Sequence, residues 1–268
     1  MHKTTICGTD LHILCGSVRT CTAGRILGHE GIGDIVAIGS GVHKFKVGDR
    51  ILISCITSCG KCSPCVSDKF YGHCEDGGWQ LGNTINGMQT EYCRIPHVDC
   101  SAYHVPRFDD LDLEDKYVMC SDILPTAYEI GLIDGNIKAG IPSMCIVGAG
   151  PVGLAALLVA KAMYSPKRIF VVDTNRFRLD TAMVMGATDS IDNTKGDSVA
   201  QIMQATGGKG VDLCIECIGL PVGWYICQDI VKAGGHIAIL GVHGEPATLN
   251  LERMWYRNFK VCWNILYI

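Results

Sequence analysis

Met144-Cys145-Ile146-Val147-Gly148-Ala149-Gly150-Pro151-Val152-Gly153 is the stretch that decides the fold class. Four apolar residues of strand type run into a G-x-G-x-x-G turn, and Val152 to Met163 continues as an apolar helix. In that context Gly148, Gly150 and Gly153 permit a tight turn. They also let the backbone of the turn and of the following residues Pro151 and Val152 approach a pyrophosphate at the positive helix N-terminus. Asp173 stands twenty residues after Gly153, closing the apolar run Arg168-Ile169-Phe170-Val171-Val172. A carboxylate there accepts hydrogen bonds from an adenosine ribose and repels a 2′-phosphate, so the pattern favours NAD over NADP. Arg176 and Arg178 lie close enough to blur that preference, with Arg178 counted among the cofactor-facing residues. A turn of the same shape that binds nothing is the plain alternative, and the agreement of strand, turn, helix and acid speaks against it.

Beyond this corner helices and strands alternate. A helix is expected over 176–185, a short strand over 190–192 and a helix over 197–205. Then come a strand over 211–217, a helix over 224–232 and strands over 236–240 and 259–263. Alternation of this kind implies a parallel sheet with helices on both faces. Ile141 to Ala160 carries no charge over twenty positions, the length of a bilayer span, but its glycines and Pro151 break it into strand, turn and helix. Cys214-Ile215-Glu216-Cys217 is a second C-x-x-C inside an apolar strand, where residues three apart point to opposite faces, so a redox pair is not expected.

Toward the N-terminus the text changes character. From Gly28 to about Pro106 short β-prone runs, 35–38, 50–53 and 91–95, are broken by Gly39-Ser40-Gly41 and Gly48-Asp49. That pattern implies an irregular, barrel-like β domain. The 268 residues thus read as β first and α/β second. A net charge of −4 offers no basic footprint for nucleic acid or anionic lipid. The opening residues, Met1-His2-Lys3-Thr4-Thr5-Ile6, lack the apolar core of a signal peptide, and with sixteen cysteines the expectation is a reducing cytoplasm.

Those cysteines are not evenly spread. Cys59-Gly-Lys-Cys62-Ser-Pro-Cys65, followed by Cys74, puts four thiols at turn spacing, where they can close a tetrahedron around one Zn²⁺. Such a site is closed and structural. Unrelated buried thiols or a disulfide pair is the alternative, which cysteines crowded among Gly, Lys, Ser and Pro do not favour. The reactive chemistry must lie elsewhere, and the first half of the chain offers Cys7, His29 with Glu30, and Asp122.

Gly28-His29-Glu30-Gly31-Ile32-Gly33, with Gly39 and Val42, resembles the zinc signature of the medium-chain, zinc-dependent alcohol dehydrogenases. Cys7-Gly8-Thr9-Asp10-Leu11-His12 is similar to the segment bearing that family's first catalytic-zinc ligand. The Cys59–Cys74 lobe is similar to its structural-zinc loop, and Gly148 to Gly153 to its coenzyme turn. The resemblance implies a GroES-like irregular β-barrel catalytic domain over 1–122, followed by a Rossmann doubly wound parallel sheet over 123–268. It implies two Zn²⁺, one catalytic and one structural, together with NAD. Cys7, His29 and Asp122 would hold the catalytic ion, with Glu30 a fourth or exchanging ligand, and Cys59, Cys62, Cys65 and Cys74 the structural one. Thr9 and His12 match the family's proton relay, which serves a zinc-acidified alcohol whose α-hydrogen leaves as hydride to the nicotinamide. Read alone, His12 is equally an ordinary half-exposed histidine.

The expected substrates are small alcohols, aldehydes or ketones, with assembly as a homo-oligomer, dimer or tetramer. A polyol or threonine dehydrogenase of the same superfamily, and a non-catalytic zinc- and NAD-binding fragment, are the competing readings. Relative to the family pattern Cys7 comes early, eight residues separate Cys65 from Cys74, and the chain ends at Ile268. The resemblance therefore implies a catalytic domain shortened at its N-terminus and a missing C-terminal return segment. The run from Phe259 to Ile268 would then form an apolar sheet edge.

Overall fold

Four short antiparallel strands carry the N-terminal half of the molecule: β1 (Lys3–Thr4), β2 (Gly31–Asp34), β3 (Arg50–Ile53) and β4 (Ala102–His104), side by side in that order. This is a computed structural model that describes residues 1–68, 70–106 and 111–263. Alternation along β3 divides its apolar residues between two faces. Ile51 and Ile53 pack with Phe45, Leu81, Met88 and Ala102, while Leu52 packs with Ile32, Val105 and Val118.

Two expected strands do not form. Ile35–Ile38 leaves the ladder at its first residue, where Ile35 N–H donates to Asp49 O (2.9 Å) and Gly48 N–H to Ile35 O (2.8 Å). The pairing falls instead on the preceding Gly31–Asp34, because that register sets its backbone against Arg50–Ile53. Val36 and Ile38 are left exposed. Residues 91–95 form no ladder either; Cys93 and Ile95 serve as apolar cover for the Phe45–Ile51 cluster. Tertiary packing has overridden local β propensity at both places.

The second half follows the helix–strand alternation closely. Its strands are β5 (Met144–Val147), β6 (Ile169–Asp173), β7 (Asp189–Asp192), β8 (Val211–Glu216), β9 (Val231–Ile239) and β10 (Lys260–Trp263). All are parallel, ordered β10-β9-β8-β5-β6-β7. Helices Pro151–Tyr164, Arg176–Val184, Ser198–Ala205 and Pro221–Ile230 connect them. Every residue of β5 is buried, as a central parallel strand covered on both faces requires. Chain order reverses between β5 and β8, which makes the carboxyl ends of those two strands the topological switch point.

The charge-free run 141–160 is divided between β5, the glycine turn and the start of helix Pro151–Tyr164. No helix among the described residues is long and apolar enough to cross a membrane. Cys214 and Cys217 are not paired; the Cys214 thiol donates weakly to Cys227 O (3.8 Å). Of the expected edge 259–268, strand β10 covers Lys260–Trp263, and residues 264–268 lie outside the described residues. The chain divides into two units, Met1–Pro125 and Thr126–Asn264.

Candidate active site and metal centres

The local fold presents the ligand candidates through fixed backbone. Cys7 caps helix Gly8–Leu14, and its N–H donates to Asp10 Oδ2 (2.9 Å). His29 and Glu30 directly precede β2. Thr4 Oγ1 donates to Glu30 O (2.9 Å) and Gly31 N–H donates to Ser121 Oγ (3.2 Å), so β1 and the segment before Asp122 both grip the pair. Gly28, at φ +98°, makes the left-handed turn that aims it inward.

Cys7, His29 and Glu30 thereby offer ligand atoms that all lie within 4.8 Å of one another. Asp122 Oδ2 sits 3.1 Å from His29 Nε2. Two donors at about 2.1 Å from one tetrahedral zinc stand about 3.4 Å apart, so this approach suits a shared ion. The resemblance made Asp122 the third ligand and Glu30 the exchanging one, whereas the tight trio holds Glu30 and Asp122 joins it through His29.

The donor set is rich in anions, and His29 and Glu30 within it are buried. Burial works against a charged His29, but hydrogen bonds to Asp122 and Cys7 outweigh it and hold the imidazole well above its ordinary range. Burial first, and then the Asp122 charge, pushes Glu30 up to about 7. Its Oε2 accepts from Thr5 Oγ1, while its Oε1 is buried without a hydrogen bond. Several carboxylates gathered around one imidazole, with Glu30 pushed up by burial and by the Asp122 charge, describe a pocket suited to a cation.

Four residues here were not singled out from sequence. Asp10 is 2 % exposed, with Oδ1 3.7 Å from His29 Nδ1, and Gln89 Nε2 donates to its Oδ2 (3.1 Å). It faces the ring nitrogen opposite the one that faces Asp122, beyond hydrogen-bond distance, and both atoms are buried without a hydrogen bond. Its place three residues after the helix cap was the available signal. Cys55 donates to Asp122 Oδ1 (3.5 Å), and burial pushes that thiol up. Trp79 meets His29 edge-on at 6.0 Å, and Thr5 has already been placed on Glu30. No local pattern announces these three.

Thr9 Oγ1 accepts from Cys7 Sγ (3.6 Å), which sets the hydroxyl beside the ligand cluster. His12, half-buried, follows three residues later on the same helix, hence on the same face.

The four-thiol lobe is organised by the turns Pro64–Asp68 and Tyr71–His73. Cys59, Cys62, Cys65 and Cys74 place their sulfurs within 4.8 Å of one another, and all are free thiols. Cys62 Sγ lies 3.3 Å from Cys65 Sγ and 3.8 Å from Cys74 Sγ. Sulfurs about 2.3 Å from a tetrahedral zinc stand about 3.8 Å apart, so the residues present fit that ion. Backbone N–H groups of Lys61 and Cys62 hold the Cys59 thiol down at about 6.

In the second unit, Gly148 has φ +105°, and a Cβ on Gly153 would lie 1.9 Å from Gly148 O, so both glycines are required by the turn itself. Gly150 is different. Its φ of −72° and ψ of −177° suit any residue, and a Cβ there would meet no protein atom within 4 Å. The fold does not need glycine at 150; a ligand lying close against the turn does, which is the fit expected for a pyrophosphate. Pro151 opens the helix, with half-buried Val152 next. Asp173 ends β6 with Oδ2 accepting from Ala149 N–H (2.7 Å) and Oδ1 from the N–H groups of Thr174 and Asn175 (2.8 Å each). The carboxylate therefore borders the turn. Arg176 pairs along its helix with Asp180 (2.9 Å), while Arg178 is exposed.

Comparison with known proteins agrees with this layout. The sequence profile of the alcohol dehydrogenase GroES-like domain matches residues 1–107, and that of the zinc-binding dehydrogenases matches residues 151–267. An alcohol dehydrogenase of Cupriavidus necator is 31 % identical over 270 residues, spanning 93 % of this chain and 70 % of the relative. An L-threonine 3-dehydrogenase of Shewanella sp. is 29 % identical over 97 % of this chain and 73 % of its own. Among solved structures, zinc-dependent alcohol dehydrogenase 2 from Streptococcus pneumonia superposes with a TM-score of 0.90 at 45 % identity, over 98 % of this chain and 74 % of that one. With two zinc-type ligand sets, a glycine corner on a parallel sheet and these relatives, the chain belongs to the zinc-dependent medium-chain alcohol dehydrogenase family.

Proposed function

We propose that the protein transfers a hydride from a small primary or secondary alcohol to NAD, giving an aldehyde or ketone. The observation that carries this reading is the trio of half-buried Cys7 with buried His29 and Glu30, with Asp122 3.1 Å from the imidazole. When bound there, zinc supplies Lewis acidity toward the alcohol oxygen and the nicotinamide accepts the hydride. Everything else falls to the chain. Cys7, His29, Asp122 and Glu30 hold the ion, and Asp10 keeps the His29 ring oriented. The Thr9 hydroxyl, beside the Cys7 sulfur, takes the alcohol proton and His12 hands it on toward solvent. Cys59, Cys62, Cys65 and Cys74 hold the second zinc and do no chemistry. Gly148, Gly150, Pro151, Val152 and Gly153 cradle the pyrophosphate; Asp173 takes the adenosine ribose, with Arg178 at its exposed rim.

The L-threonine 3-dehydrogenase relatives support a second reading, a polyol or threonine dehydrogenase using the same ligands. A thiolate lobe of this kind suits a reducing cytoplasm, and assembly as a dimer or tetramer belongs to the same proposal. Metal analysis combined with turnover tests it. Two zincs per chain and alcohol-dependent NADH formation are expected, with L-threonine compared against simple alcohols. A single zinc per chain, or none, and no turnover on either class would leave a non-catalytic fragment.

A further inference from the structure

We infer that Glu216 is a positioning residue for the nicotinamide half of the dinucleotide, and that His243 is the side chain it presents there; this rests on the NAD reading above. Glu216 ends β8 directly opposite Val147, the last residue of β5, so it lies under the switch point. It is 0 % exposed, yet every acceptor position is used. Oε1 accepts from the N–H groups of Ile218 (2.9 Å) and Gly219 (3.0 Å), and Oε2 from Gly219 N–H (3.2 Å) and His243 Nε2 (3.1 Å). Its main-chain oxygen accepts from Leu240 N–H (2.8 Å) and Gly241 N–H (3.2 Å). One residue thus ties together the loops that follow β8 and β9.

Packing alone does not call for an acid here, since a buried carboxylate is costly unless fully bonded. The surroundings are shaped to admit it. A Cβ on Gly223 would lie 2.2 Å from Oε1, and one on Gly241 2.6 Å from Oε2. The Glu216 loop also touches the coenzyme corner, because a Cβ on Gly148 would lie 2.9 Å from Ile218 Cγ1. Asp173 marks the adenosine side, on β6 across from β5. The other side of the crevice, over β8 and β9, is left for the nicotinamide nucleotide. His243 sits at that rim, 21 % exposed, with Nε2 committed to Glu216 and Nδ1 left to meet a ribose hydroxyl or phosphate.

The test titrates NADH and AMP into the 268-residue chain by calorimetry, with melting temperatures alongside, for wild type, Glu216→Ala, Glu216→Gln and His243→Ala. Wild type binds both ligands. Glu216→Ala weakens NADH by about tenfold and leaves AMP within about twofold, the effect of losing charged hydrogen bonds on one side only. Glu216→Gln keeps the acceptor for Ile218 and Gly219 and recovers part of the loss. His243→Ala weakens NADH by about threefold or more with AMP and melting temperature unmoved. Equal weakening of both ligands with a lowered melting temperature would make Glu216 a general packing residue and overturn the inference. Should Glu216→Ala fail to fold, unchanged NADH affinity in His243→Ala overturns it. A wild-type chain that binds neither NADH nor AMP removes the NAD reading and this inference together, a result separable from any of the variant outcomes.

Discussion

The two ligand sets of the first unit differ in how far along the chain they are gathered. Cys59, Cys62, Cys65 and Cys74 come from one loop, all sulfur, held by two short turns. Cys7, His29, Glu30 and Asp122 come from a helix cap, the start of β2 and the far end of the unit, and mix sulfur, nitrogen and oxygen. A closed set of identical ligands is saturated by its ion, and it stabilises. A mixed set drawn from distant elements, with Glu30 Oε1 buried and without a hydrogen bond, is the set that the proposed chemistry uses. Proximity in sequence is therefore the mark of the structural site, and distance the mark of the reactive one.

That contrast breaks most sharply under substitution. Cys62→Ser should cost more than about 4 kcal/mol, since loss of a structural metal ranks among the largest single-residue effects. Denaturant melts in buffer of equal free zinc, with bound zinc counted, measure it, and a loss under about 1 kcal/mol would mean the lobe folds without its ion. His29→Ala should act the other way round: at least about a hundredfold off kcat/KM and one zinc lost per chain, with the lobe zinc retained. Equal loss of both zincs would show the two sets to be one cooperative unit. Asp10→Asn should be milder, weakening the first-set zinc by about 10- to 100-fold through the freed His29 ring, as read by chelator competition. A stoichiometry and affinity unchanged in Asp10→Asn would make the 3.7 Å approach to Nδ1 incidental.

The same contrast explains what was legible in the sequence. The thiol lobe and the glycine corner are local, so spacing and strand–turn–helix order reveal them without a fold. The parallel sheet was legible for a related reason: strands buried on both faces read as apolar runs, and β5 and the first four residues of β6 are such runs. The first unit was legible only in part: Arg50–Ile53 forms the strand expected there, but its partner falls on Gly31–Asp34, a stretch with almost no strand propensity, while the better strand formers at 35–38 stay outside. Cys55 and Trp79 reach the His29 cluster only through tertiary contacts, and no period in the chain predicts those. Cys7, His29 and Asp122 were named through a family resemblance rather than any local rule.

The smallest effect lies in the ladder that carries His29 and Glu30 into place. Arg50 on β3 donates from Nε to Asp34 Oδ1 (2.8 Å) and from Nη2 to Oδ2 (3.2 Å) at the end of β2, and it also reaches Glu114. The Arg50 hydrogen bonds hold the Asp34 carboxyl down at about 2, against an ordinary 3.8. A folded-state value below the unfolded one contributes stability that is present above the unfolded value and is lost as pH falls toward the folded one. The contribution is about 2 kcal/mol at most for a group that water still partly reaches. Asp34→Asn should therefore cost about 1–2 kcal/mol near neutral pH, and the gap to wild type should close as pH falls from 3.8 toward about 2. Urea melts across that range measure it, with zinc content followed in parallel near neutral pH. The first-set zinc should weaken with the ladder and the lobe zinc should hold. A gap that stays constant with pH would assign the cost to lost packing instead of lost charge.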